Sequence, residues 1–198
     1  MKMLLHICCG PCSIFPVSAL RAEGVALTGF FYRHNIHPYS ECLRRQETLQ
    51  TYAGQIGLDV VYQDGYDLEG FIRKVVFRED QRCLICYQER LGATANLAKQ
   101  GGFDGYSTTL LYSRYQNHDI IREMGESIGR TVGIPFHYRD FRTGWQKGIA
   151  ESRRLGMYRQ KYCGCIYSEK ERSCSATSYT SSSFCSSIPP ISPPRRSV

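Results

Sequence analysis

The stretch that decides the fold is "KMLLHICCGPCSIFPVSALRAEG", Lys2 to Gly24. "KMLLHI" is an apolar run of strand length, the pattern of a strand buried on both faces. "SIFPVSALRAEG" reads as a helix stopped at Gly24. Between them stand three thiols in five positions, Cys8, Cys9 and Cys12. The rest of the chain repeats this alternation. "VALTGFFY" is a second strand. "SECLRRQETLQTYAGQIG" is a helix with apolar or small residues at Leu43, Leu49, Ala53 and Ile56. "LDVVYQD" is a third strand, and "LEGFIRKVVF" and "CLICYQERLGATANLAK" are helices. "DGYSTTLLY" gives a fourth strand, "DIIREMGESIGRTVG" a helix and "IPFHYRDF" a fifth strand. Strands separated by helices predict an α/β protein, a parallel sheet with helices on both faces. Ligands in such folds gather beyond the carboxyl ends of the strands. A cysteine-rich metal site is therefore expected at the carboxyl end of strand 1.

The chain has 198 residues, enough for one domain with a core of its own. Ten cysteines are many for that length. Met1-Lys2-Met3 leads straight into the first strand with no secretory signal, so a cytoplasmic location is expected. In that reducing setting clustered thiols serve metals or redox chemistry more often than structural bridges. No run approaches the roughly 18 apolar residues that would span a bilayer, so no membrane association is expected. The net charge of +7 is compatible with a nucleic-acid partner and equally with a basic solvated surface. From Ser173 to Val198 the composition changes: ten serines, four prolines and no acidic residue. The expected organisation is one catalytic domain over residues 1–172 and a disordered tail over 173–198.

The cysteines fall into three groups: Cys8-Cys9-Gly-Pro-Cys12, Cys83-Leu-Ile-Cys86 and Cys163-Gly-Cys165. A C-x-x-C at a helix start offers two thiolates on one turn. Two such pairs brought together can hold zinc or an iron–sulfur cluster. The plainer alternative makes Cys83 and Cys86 small buried apolar residues. A C-x-C disulfide would close a small strained ring, easily reduced and suited to electron relay; ligation of the same metal competes with that reading. Cys42, on an amphipathic helix, reads as an ordinary packed residue. No phosphate-cradling glycine loop and no G-x-G-x-x-G opens a helix, so neither ATP chemistry nor tight dinucleotide binding is signalled.

Five ordered segments, "LLHICCGPCS", "NIHPYSECLRR", "RCLICYQERL", "STTLLYSRYQNH" and "YRQKYCGCIYS", resemble the QueH-type epoxyqueuosine reductases. The likeness covers about residues 3–170. It implies a Rossmann-like fold related to the nucleotide α-hydrolases. It also implies the last step of queuosine biosynthesis, reduction of epoxyqueuosine in tRNA to queuosine. Carried onto this chain, it makes Cys8, Cys9, Cys83 and Cys86 ligands of a [4Fe–4S] cluster. It makes Cys163 and Cys165 a redox-active disulfide and Cys12 a ligand of an additional iron. Two departures, Arg33-His34 and Cys42, bear on loop shape and substrate contacts rather than on those ligands.

The implied partners are tRNA carrying the modified base in its anticodon loop and an unidentified electron donor. Proton-donor candidates are His6, His37, His118, Tyr87 and Tyr162, with His6 more simply read as a hydrogen-bonded core group. Arg44, Arg45, Arg114, Arg153, Arg154 and Lys161, interleaved with tyrosines, offer a basic approach surface for single-stranded RNA. Two other functions stay open on the residues alone: another cluster-dependent tRNA-modifying enzyme, or a zinc-stabilised RNA-binding module without catalysis.

Overall fold

A computed structural model describes residues 1–177. It contains four strands, β1 (Lys2–Ile7), β2 (Ala26–Phe31), β3 (Val60–Tyr62) and β4 (Gly105–Thr108). The helices are α1 (Gly10–Ala22), α2 (Tyr39–Gln55), α3 (Leu68–Val75), α4 (Arg82–Gln100), α5 (His118–Val132), α6 (Trp145–Arg154) and α7 (Ile166–Thr177). The sheet order is β3-β2-β1-β4 and every pairing is parallel, with Lys2 opposite Ala26, Met3 opposite Gly105 and Gly29 opposite Val60. The sheet thus steps outward from β1 in both directions. Where the order reverses, the ends of β1 and β4 leave a crevice for a site.

β1 is interior because Met3–Ile7 is apolar apart from His6, whose Nδ1 bonds Thr108 Oγ1 at 2.8 Å. One packed group of helices joins α1 to α2 and α6; the other joins α4 to α3 and α5. Leu4, Leu5, Ile7, Phe31, Leu91 and Tyr106 are fully enclosed between them. Burying a side chain of this size contributes on the order of 2 kcal/mol.

The expected fifth strand is reduced to one parallel bridge, Tyr106 to Phe136. The reason lies in β4. It ends after four residues, where the Thr108 hydroxyl accepts the Leu110 N–H (3.1 Å) and turns the chain into a short 3-10 helix over Thr109–Tyr112. Segment 137–141 then has no strand beside it. The sequence also gave no periodic signal for α6 or α7. The compositional boundary at residue 172 falls inside α7, which runs on to Thr177; the remainder of the expected tail lies outside the described residues.

Candidate active site

The first thiols sit where β1 hands over to α1. Cys9 is the N-cap of α1, and Gly10 and Pro11 open it. Pro11 costs no hydrogen bond in that first turn. A Cβ on Gly10 would stand 2.7 Å from Met157 Cε and 3.2 Å from Thr48, so glycine lets α2 and the 157–160 segment close over the turn. Cys12 follows one turn later and faces back to the same place. The sulfurs of Cys8, Cys9 and Cys12 all lie within 4.8 Å of one another, a spacing at which one metal could join them. Among the described residues this is the group that meets that criterion.

The surroundings treat these sulfurs as anionic. Thr109 Oγ1 donates toward Cys8 Sγ at 3.7 Å, and Gln160 Nε2 donates to Cys9 Sγ at 2.9 Å and Cys12 Sγ at 3.3 Å. Hydrogen bonds from Cys12 and Cys9, helped by Arg90 and His6, hold the Cys8 thiol well below its ordinary range. Hydrogen bonds to Cys8 and Cys9 push the Cys12 thiol up. Burial pushes Cys9 up as well. Thiolates crowded in one dry cavity repel one another, and a bound cation would relieve them.

α4 supplies the second group. Cys83, Cys86 and Arg90 are spaced i, i+3, i+7 and so share a helix face. Asn35 ties them: its Nδ2 donates to Cys86 Sγ at 3.2 Å and its Oδ1 accepts from Arg90 Nε at 2.8 Å. Arg90 is 1 % exposed, and its Nη1 and Nη2 have no hydrogen-bond partner. Burial opposes its charge, but negative charge at Cys86, Cys8, Cys163 and Cys165 outweighs that and holds its pKa up. One guanidinium thus links all three cysteine motifs. Burial drives the Cys86 thiol up to about 12 with no cation beyond Arg90 to relieve it.

The C-G-C segment is stitched down by its backbone. Arg45 Nη1 and Nη2 donate to the carbonyls of Cys163 (2.7 Å) and Tyr162 (3.0 Å), His37 N–H donates to Gly164 O (2.7 Å), and Tyr162 donates to His37 O (2.6 Å). Gly164 lies against both guanidinium groups: a Cβ there would sit at ordinary contact distance from Arg90 Nη2 (3.4 Å) and Arg45 Nη1 (3.6 Å). Gln116 Nε2 donates to Cys163 Sγ at 3.4 Å while its Oε1 accepts from Tyr87 at 2.9 Å. Cys163 and Cys165 are free thiols, as are the cysteines of the other two motifs.

The structure therefore joins Cys8, Cys9 and Cys12 closely and sets Cys86, Cys163 and Cys165 near the same guanidinium, with Cys83 beside Arg82 instead. Cys42 is a fully enclosed core residue, as its helix position implied. Arg45 is no approach surface: it is buried, paired to Glu41 at 2.7 Å, and serves the C-G-C loop. His6, His37 and His118 are buried and bonded to Thr108, His34 O and Ser113 O. Burial, then Arg90, drives His6 down to about 3, so its ring is neutral. Sequence reasoning missed Arg90, Asn35, Thr109, Gln116 and Gln160. For Arg90 a signal existed, its four-residue spacing from Cys86.

The donor set suits a metal bound as an anionic thiolate complex: clustered sulfurs, N–H and O–H donors aimed at them, and a buried guanidinium with two idle nitrogens. An open parallel sheet with thiols massed at its switch point defines the class, a cysteine-dependent α/β protein of metal or redox chemistry. Over residues 3–171 the chain matches the family model described as "Epoxyqueuosine reductase QueH". The chain belongs to that family. A relative of the same name from Dehalococcoides mccartyi is 33 % identical over 171 residues, covering 86 % of this chain and 94 % of the relative. One from Thermotoga maritima is 34 % identical over 180 residues, covering 86 % and 91 %. Among solved structures, a predicted subunit of a tRNA methyltransferase from Methanocaldococcus jannaschii superposes with a TM-score of 0.53 at 10 % identity, covering 77 % of this chain and 76 % of that one. That likeness speaks to the fold alone.

Proposed function

We propose that this protein reduces the epoxide of epoxyqueuosine in tRNA to the alkene of queuosine, in the cytoplasm, with electrons from an external donor. The observation that carries the reading is the family match, which takes in all seven cysteines of the three motifs. The reaction breaks both epoxide C–O bonds, forms a C=C bond, consumes two electrons and two protons and releases water.

Cys8, Cys9, Cys83 and Cys86 would hold a [4Fe–4S] cluster and Cys12 an additional iron. Bound there, such a centre supplies one-electron transfer and Lewis acidity. The chain's own groups do the rest. Arg90 offsets the thiolate charge. Thr109 and Gln160 orient the triad's sulfurs. Tyr87, whose hydroxyl burial pushes up to about 12, holds its proton at neutral pH one amide away from Cys163. Arg45 and His37 fix the backbone of Cys163-Gly-Cys165, whose two thiols would cycle to a disulfide and back.

The test is purification without oxygen and turnover of epoxyqueuosine-bearing tRNA, read by nucleoside mass spectrometry. Visible charge-transfer absorption and conversion to queuosine are expected. A colourless zinc protein without turnover would overturn the proposal. Cys83→Ala should lose most of its iron and sulfide; full loading would remove Cys83 from the ligands. Cys163→Ser and Cys165→Ser should keep the iron but stop after a single turnover. Arrival of either variant without iron would make the pair ligands instead.

A further inference from the structure

Three aromatic rings lead from the buried turn after β4 to open water. The first is Tyr112, buried at the end of the turn after β4; burial holds its proton on, and charge at Cys12, Cys9 and Arg159 reaches its hydroxyl. The second is Trp145 at the start of α6, whose ring lies 5.1 Å from Tyr112 at an interplanar angle of 31°. Tyr112 Oη donates to the Trp145 carbonyl at 3.0 Å. The third is Tyr115, set edge-on to Trp145 at 6.1 Å and 78° and 85 % exposed.

The arrangement is fixed in place. A Cβ on Gly148 would run into the Tyr112 hydroxyl, so α6 approaches this ring only through glycine. The Tyr115 N–H donates to Ser113 Oγ at 3.2 Å. The next residue, Gln116, touches Cys163 Sγ. The exposed ring is thus one residue from a side chain in contact with the candidate redox thiols.

The segment that carries Trp145 is mostly basic. Residues 142–161 hold six cationic side chains and one acidic one, Glu151. Lys147, Arg153, Arg159 and Lys161 are exposed and make no ion pair among the described residues; Arg114, beside Tyr115, is likewise exposed. Aromatic faces flanked by unpaired cations hold single-stranded nucleic acid, because every base has a face to stack and every nucleotide a phosphate.

We infer that Tyr112, Trp145 and Tyr115 form a stacking platform for an unpaired nucleobase next to the one being reduced. This rests on tRNA being the substrate. Tyr115 takes the base, Trp145 backs it, and Tyr112 ties the pair to the buried turn after β4.

Trp145 is the single tryptophan of the chain, so its fluorescence reports on the platform. The probes are a short RNA hairpin with a single-stranded loop and a blunt RNA duplex of equal length, at one fixed salt concentration. The whole protein should bind the hairpin more tightly than the duplex, with quenching of Trp145. Tyr115→Ala should weaken hairpin binding about tenfold or more and leave duplex binding unchanged. Tyr115→Phe should restore both affinity and quenching. Equal affinity for the two RNAs, or hairpin binding by Tyr115→Ala as tight as that of the unaltered protein, overturns the platform. Loop-selective binding by a protein that fails to reduce epoxyqueuosine would instead overturn the reaction and leave the platform standing.

Discussion

A guanidinium sealed from water is stable only when anions lie near it, and Arg90 has two nitrogens without a hydrogen-bond partner, with the Cys86, Cys8, Cys163 and Cys165 thiols its electrostatic neighbours. Its worth therefore depends on how much negative charge the cavity holds. With metal bound by several thiolates, replacing Arg90 by Met should cost about 3–5 kcal/mol, the range for breaking a buried charge pair. Without metal, when most of the thiols keep their protons, the same change should cost much less. Thermal unfolding of both proteins, iron-loaded and chelator-stripped, measures the difference. Equal losses in the two states would mean that Arg90 matters for packing against Asn35 and not for charge. Such a residue is hard to pick from sequence. In "CLICYQERL" it looks like any solvated helix arginine, and only the tertiary placement of α4 against β1 encloses it. The thiols themselves were legible, because three of them in one turn have few structural uses.

Among the elements, the Arg45 fork shows how a helix far along the chain sets the shape of a loop. Arg45 bonds Glu41 on its own helix and two carbonyls of the C-G-C segment, while Tyr158 donates to the other Glu41 oxygen at 2.5 Å. Lysine keeps the charge but cannot span two carbonyls and a carboxylate. Arg45→Lys should cost on the order of 2–4 kcal/mol. It should also speed amide exchange at Gly164 and Cys165 while leaving exchange in β1 unchanged. Uniformly faster exchange would mean that the fork supports the whole fold and not this loop. β1, β2, α1, α2, α4 and α5 could all be read from periodicity to within a few residues. α6 and the C-G-C clamp could not. "WQKGIAESRR" has too few apolar residues for a helical stripe, and it is held because Gly144 and Gly148 admit Phe15 and Tyr112.

Across the molecule, buried neutral histidines set the response to acid. Burial lowers His6 to about 3 and His37 below its ordinary 6.5. The unfolded chain takes up these protons at about pH 6.5, whereas the folded chain holds His6 neutral to about pH 3 and His37 to a lower pH than the free ring. Stability is therefore lost as pH falls through that window, by about 1 kcal/mol per pH unit for each such group. The unfolding midpoint should drop between about pH 7 and about pH 5, and His37→Gln should flatten part of the drop. A midpoint constant over that range would mean the rings are protonated in the fold. For the same scale of change, the place to shorten the chain is after Thr177. α7 is anchored by the Arg82–Glu171 ion pair and the Arg82–Tyr167 contact, so a cut at Ser173 would open a helix. Removal of residues 178–198 should leave iron content and unfolding midpoint within error of the full chain.

The bond from Gln160 to Cys9 spans 151 residues, and the Arg45 fork reaches 118 residues ahead to Cys163. During synthesis at about 5–20 residues per second, the thiols of the first turn leave the ribosome roughly 8–30 s before the segment that closes over them. For that interval the thiols of Cys8, Cys9 and Cys12 have no Gln160 to cover them. The order of events is written into the chain: the first thiols emerge early, and the roof arrives last.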